Sequence, residues 1–190
     1  AAASEPGGVV TNGMSLRARD GENANSALLV SLTPEQFPHP GVLGGMFWQR
    51  ELEQAAFAYG GGSYAAPAQL VGDFLSNQES SGPHSVCPSY LPGVCWGDLR
   101  AVLPPAVTEV MARALPLLGQ KLRGFDLPEA VLTGPETRSS SPVRILRDAG
   151  QQSALRGLFP CGEGAGYAGG ITSAAVDGLR CAEALLNAQC

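Results

Sequence analysis

Charge is scarce in this chain. Charged residues make up 15% of its 190 residues, against roughly 25% in an ordinary soluble domain. Twelve Lys and Arg face seventeen Asp and Glu, for a net charge of −5. No basic patch stands out, which excludes the electrostatic footprint of a nucleic-acid binder. Histidine occurs only at positions 39 and 84, and the five cysteines (Cys87, Cys95, Cys161, Cys181, Cys190) contain no CxxC. No zinc spacing can be assembled, so no metal site is expected. Apolar runs stay well short of the roughly 20 residues that a membrane helix needs. Methionine does not start the chain, and no basic segment leads into an apolar one, so the N-terminus is not an intact signal peptide. The expectation is a fragment or processed product, soluble and intracellular, in the cytoplasm or an organelle such as the plastid, with free thiols.

Glycine and proline are abundant instead, 25 and 15 residues, which implies many turns and few long helices. Hydrophobic residues reach 44%, enough for a real core. Asn12-Gly13 and Asp20-Gly21 predict turns in a polar opening stretch. Ala27–Leu32 reads as a short buried strand. Apolar spacing predicts a helix over Met46–Tyr59, stopped by Gly60-Gly61-Gly62. A second short helix is expected over Pro67–Leu75, with Gln69 and Asp73 on its polar face. A Ser/Pro/Gly-rich loop follows over residues 76–93. A third helix is expected from Pro104-Pro105 to about Leu118, bent or shortened by Pro116. Strands are expected at Ala130–Leu132, Val143–Leu146 and Leu158–Phe159. A last amphipathic helix covers Ile171–Leu186, with Ile171, Ala174, Ala175, Leu179, Ala182, Leu185 and Leu186 on one face. The fold class is α/β, or α+β as an isolated piece. Residues 1–128 form a helical, loop-rich region and residues 129–190 a sheet-and-helix region.

The most informative stretch is Leu158 to Ile171. A short apolar run ends in an acid, and five glycines follow within nine positions (Gly162, Gly164, Gly166, Gly169, Gly170). A helix then begins. Glycines let backbone come close to a ligand, and a helix start presents unpaired N–H groups and a positive dipole end. A carboxylate beside the turn, Glu163, can accept hydrogen bonds from sugar-type hydroxyls. This order suits a large anionic or polyhydroxy cofactor; the bland alternative is a tight turn with no ligand. The literal GxGxxG, Gly164-Ala165-Gly166-Tyr167-Ala168-Gly169, is weak by itself. The dinucleotide fingerprint opens a βαβ unit and needs an acid about 20 residues on. Here it reads as the closing element of such a domain.

Several motifs occur in order along the chain. They are Thr11-Asn12-Gly13-Met14-Ser15, Asn23-Ala24-Asn25-Ser26, Ala66-Pro67-Ala68-Gln69 with Asp73-Phe74-Leu75, and Leu103-Pro104-Pro105. Leu132 through Arg138, Ser141-Pro142-Val143-Arg144 and the glycine-rich run follow. Through these the chain resembles the C-terminal part of a family of FAD-dependent dehydrogenases within the two-dinucleotide-binding flavoproteins. The resemblance implies an incomplete FAD-binding Rossmann-like domain with a helical, loop-rich substrate or cap region. It implies FAD contacts by Gly162, Glu163, Gly164, Gly166, Tyr167, Gly169, Gly170 and Ile171, with NAD(P)H a candidate electron donor and a small molecule as substrate. The strand-initial GxGxxG of such proteins does not precede residue 162. The N-terminal half of the same protein, or a partner chain, would then complete the FAD site.

Other residues carry two readings. Tyr167 either stacks on the flavin or anchors the loop through its hydroxyl. Thr137 and Arg138 follow a strand, where ligand groups gather, and Arg138 or Arg144 would hold a carboxylate or neutralise reduced flavin; surface ion pairs are the alternative. Asn12 and Met14 either line the substrate side or belong to a turn network. Cys161 is expected as a small buried filler. No general acid or base can be named. Two functions follow: the C-terminal portion of an FAD-dependent oxidoreductase, or a non-catalytic structural or interaction subunit keeping a truncated flavoprotein fold.

Overall fold

The structure is a computed structural model and describes residues 4–187. Its elements are α1 (Gly44–Tyr59), β1 (Ala66–Leu70), α2 (Val71–Leu75), β2 (Val94–Trp96), α3 (Pro105–Lys121), β3 (Val131–Thr133) and α4 (Ile171–Asn187), with short 3-10 turns at Pro34–Gln36 and Leu99–Ala101. This is a small mixed α/β protein with one three-stranded sheet and four α-helices among the described residues. The chain divides into two compact units, Ala1–Thr33 with Gln49–Thr137, and Pro34–Trp48 with Arg138–Cys190.

The first unit holds the sheet, in the order β2-β1-β3. Central β1 pairs parallel with β2 (Ala68 opposite Trp96) and antiparallel with β3 (Gln69 opposite Leu132). All five β1 residues are buried, as expected for a strand covered on both faces. Two apolar clusters flank it. Val71, Phe74, Met111 and Leu115 join α2 to α3, with Leu28, Val30, Leu103 and Leu132 packed around them. Val9, Ala56, Ala66 and Val102 make the other, closed by Phe57, Tyr59 and Tyr90.

The expected helix over Pro67–Leu75 is corrected: its first half is strand β1 and only Val71–Leu75 is helical. A run of five residues is too short for its period to decide between strand and helix, and here pairing on both edges decides it. Pro67 lies near the strand start, where its missing N–H matters least, and its carbonyl accepts from the Gly134 amide. Gln69 is therefore not on a polar helix face. It is fully buried, donating through Nε2 to the Gln78 carbonyl at 2.6 Å and accepting from the Leu99 amide at 3.0 Å. Asp73 accepts from the Ser80 hydroxyl at 2.6 Å.

Helix α1 stops at the three glycines, where Gly61 and Gly62 take φ of +71° and +76°. Helix α3 runs through Pro116 to Lys121, so the proline does not shorten it. Pro116 is exposed, which leaves water within reach of the carbonyl whose helical partner it removes. Strand β2 was not expected, being three residues between Gly93 and Gly97. Ala27–Leu32, Val143–Leu146 and Leu158–Phe159 form no strand. Leu28 and Val30 do turn inward while Ala27 and Leu29 stay exposed, the alternation of a strand without a ladder partner among the described residues.

The second unit is built around polar contacts. Its inward α4 face presents Asp177 and Cys181, which are buried, with Ala174 and Gly178 half-buried. The face expected to be core behaves otherwise: Ile171, Ala175, Leu179, Ala182 and Leu186 are exposed. Among the described residues, no helix is long and apolar enough to cross a membrane.

Candidate functional site

The glycine-rich bend in the second unit is held from below by one ion pair. Arg147 donates to both carboxylate oxygens of Asp177, at 2.6 and 3.0 Å. Both side chains are close to nine-tenths buried. The same Arg147 Nη1 donates to the Pro160 carbonyl at 2.7 Å and lies 3.1 Å from Cys181 Sγ. Asp177 also accepts the Gly162 amide at 2.9 Å. A planar fork with several donors can meet all these groups together. Arg147 hydrogen bonds first, then the Gly162 amide, hold the Asp177 carboxyl down at about 2. The carboxylate in turn raises the Arg147 pKa above its ordinary value.

Tyr167 fixes the far side of the bend. Its hydroxyl donates to the Ile145 carbonyl at 3.0 Å. Arg147 lies 3.6 Å from its ring centroid and Arg144 5.1 Å, both within the range of cation–π attraction. Arg144 also donates to the Gly166 carbonyl at 2.9 Å. Gly162 and Gly166 have positive φ, +72° and +83°. A Cβ on Gly166 would stand 2.5 Å from the Val143 carbonyl oxygen. Those two glycines therefore have a reason internal to the fold.

Gly164 and Gly169 do not. A Cβ on either would meet nothing within 4 Å, and both are exposed. Gly170 acts as the cap of α4: its amide meets the Ser173 hydroxyl at 3.2 Å, and its carbonyl accepts from the Ala174 amide. The amides of Gly169, Ile171, Thr172 and Ser173 have no acceptor among the described residues. Ile171 is 94% exposed at the mouth of this helix start. Glu163 is exposed and makes no ion pair or side-chain hydrogen bond among the described residues. The Gly164 carbonyl accepts from the Ser141 hydroxyl at 3.3 Å. The open Cα positions, the unengaged amides at a helix N-terminus and one outward carboxylate suit an anionic, hydroxyl-bearing ligand.

The remaining expected residues are placed as follows. Asn12, Met14 and Thr137 belong to the first unit, and Arg138 to the second. Asn12 Nδ2 donates to Glu136 Oε1 at 3.3 Å. Met14 is 59% exposed, with its carbonyl accepting from Asn25 at 2.8 Å. Thr137 donates from its hydroxyl to Glu53 Oε1 at 2.6 Å and accepts Gln49 at its carbonyl. Arg138 is exposed. Cys161 is exposed and not a buried filler; Cys181 is the buried thiol. The four described cysteines are unpaired, and Cys190 lies outside the described residues. The sequence reading missed Arg147, Asp177 and Glu53. Asp177 had a signal, since it is a lone carboxylate on a helix face of Ala, Gly and Cys. Glu53 had none; it is 2% exposed on α1.

The glycine-rich bend and the helix start lie in a small mixed α/β protein with a three-stranded sheet. The chain belongs to the family described as "FAD-dependent protein, C-terminal domain-like", which matches residues 1–139. It is also similar to an uncharacterized protein of Clostridium beijerinckii (strain ATCC 51743 / NCIMB 8052). The two are 49% identical over 188 residues, covering 98% of this chain and 35% of the relative. The chain thus spans about a third of the relative's length.

Proposed function

We propose that this chain is the C-terminal portion of an FAD-dependent oxidoreductase. Residues 1–128 serve as a substrate or cap region, and residues 129–190 close the FAD-binding, Rossmann-like domain. The observation that carries the reading is the pair Gly164 and Gly169, where an added Cβ would meet nothing within 4 Å among the described residues. Family membership supports it independently.

In this reading Glu163 accepts hydrogen bonds from the ribityl hydroxyls. The amides of Gly169, Ile171 and Thr172 meet negative charge, helped by the α4 dipole. Gly162, Gly164, Gly166 and Gly170 shape the bend that brings them there, and Tyr167 holds it. Bound FAD supplies hydride or electron transfer at N5, with NAD(P)H a candidate donor. Thr137, Arg138, Asn12 and Met14 are assigned to the substrate or flavin side. The ADP half of the cofactor is assigned to an N-terminal portion of the protein or to a partner chain, and the substrate is a small molecule.

The test is Glu163→Ala in the full-length protein. Loss of a charge-assisted hydrogen bond of about 1.5–3 kcal/mol should weaken flavin retention roughly ten- to a hundredfold, with the fold intact by circular dichroism. Flavin affinity equal to that of the unaltered protein would remove Glu163 from the site. A colourless full-length protein that takes up no added FAD would favour the alternative, a structural subunit that keeps the family fold without its cofactor.

A further inference from the structure

Two cysteines meet at the base of the glycine-rich bend. Cys161 is exposed on the bend, and Cys181 is 4% exposed on the inward face of α4. The residues on either side of Cys161 are both tied to the same stretch of helix. The Pro160 carbonyl oxygen lies 3.7 Å from Cys181 Sγ. The Gly162 amide bonds to Asp177, one turn before Cys181. Cys161 is thereby held over that turn, with its thiol near enough to the Cys181 thiol to act on its ionisation. Burial, followed by lesser contributions that include this contact, raises the Cys181 pKa, and Arg147 opposes that rise.

We infer that Cys161 and Cys181 are a redox-active dithiol that hydroperoxides close to a disulfide. The geometry divides the roles. Cys161, open to solvent, meets the oxidant. Cys181, shielded, resolves the product, and the guanidinium of Arg147 at 3.1 Å stabilises negative charge as it develops on that sulfur. The Cys161 thiol gives up its proton and its sulfur attacks one peroxide oxygen; an S–O bond forms, the O–O bond breaks, and the departing oxygen takes up that proton and leaves as water or an alcohol. The Cys181 sulfur then gives up its proton and attacks the Cys161 sulfur. The S–S bond forms, the S–O bond breaks, and hydroxide takes the proton and departs as water. Two electrons pass from the thiol pair to the peroxide, and any dithiol reductant reverses the change. The disulfide would fasten the bend to α4 covalently where hydrogen bonds now hold it. This inference does not depend on flavin binding.

The test treats the reduced protein with hydrogen peroxide, blocks remaining thiols with N-ethylmaleimide, and maps cross-linked peptides by mass spectrometry. Cleavage after Glu183 separates Cys181 from Cys190. The expected result is a reductant-sensitive peptide joining Cys161 to Cys181. It should persist in Cys190→Ser and be lost in Cys181→Ser, where dimedone instead traps a sulfenic acid at Cys161. A link from Cys161 to Cys190, or alkylation of both Cys161 and Cys181 after peroxide, would overturn the inference. Circular dichroism of each variant separates loss of the link from loss of the fold.

Discussion

Asp177 is the residue on which the second unit turns. Its carboxyl titrates near 2 instead of 3.8, so the folded state holds it ionised more strongly than the unfolded chain does. A depressed pKa gives stability that is fully present above the unfolded value and lost as pH falls through the folded one. Taking those two values, the contribution is about 2 kcal/mol, and it should disappear between roughly pH 4 and pH 2. Asp177→Asn should remove most of that acid sensitivity. Near neutral pH it should also destabilise the protein, by about 3 kcal/mol, because it leaves Arg147 buried without its counter-charge. Urea denaturation across a pH series measures both effects. An unchanged midpoint with an unchanged acid slope would contradict this account of the pair. Arg147→Lys should rescue little, since a point charge cannot meet Asp177, the Pro160 carbonyl and the Tyr167 ring together.

At the scale of elements, the bend and its helix separate two uses of glycine. Gly166→Ala should be destabilising by about 1–3 kcal/mol, because the new Cβ meets the Val143 carbonyl in a left-handed conformation. Gly164→Ala should be nearly neutral in thermal stability yet impair flavin retention in the full-length protein. Gly169→Val should do so more severely. Comparison of melting temperature with flavin stoichiometry across the three variants checks the distinction. Equal tolerance of flavin binding at Gly164 and Gly169 would reduce the bend to an ordinary turn. The bend and the helix after it were legible in the sequence as a turn followed by a helix, because clustered glycines interrupt regular structure. Helices α1, α3 and α4 were legible for a related reason: their periodicity is long, and glycine or proline marks an end. Strand β1 was not, because a five-residue run carries no period of its own and its neighbours decide its state. Nor were Val143–Leu146 and Leu158–Phe159, whose strand-like composition finds no ladder partner among the described residues. The polar floor of the bend was hidden because Arg147 and Asp177 are thirty positions apart and pair only once the chain has turned back.

At the scale of the whole molecule, an apolar stripe on α4 is exposed to solvent. Ile171, Ala175, Leu179 and Ala182 recur at helical spacing along α4 and are all exposed. If an N-terminal portion or partner chain completes the flavoprotein, as proposed above, this stripe is the face it would cover. Leu179→Gln should then leave the unfolding free energy of the isolated chain within about 0.5 kcal/mol of its original value, as for other exposed positions. In the full-length protein the same change should cost about 1.5–3 kcal/mol, the value of a buried leucine. Equal effects in the two contexts would show that the stripe stays bare. The bond from Gly162 to Asp177 gives that stripe a further meaning. It yokes the bend to the opposite flank of the helix, so the proposed cofactor contact and the proposed partner contact would share one rigid element. Under that proposal, thermodynamic reciprocity requires that the factor by which a partner on the flank changes cofactor affinity equal the factor by which the bound cofactor changes affinity for the partner.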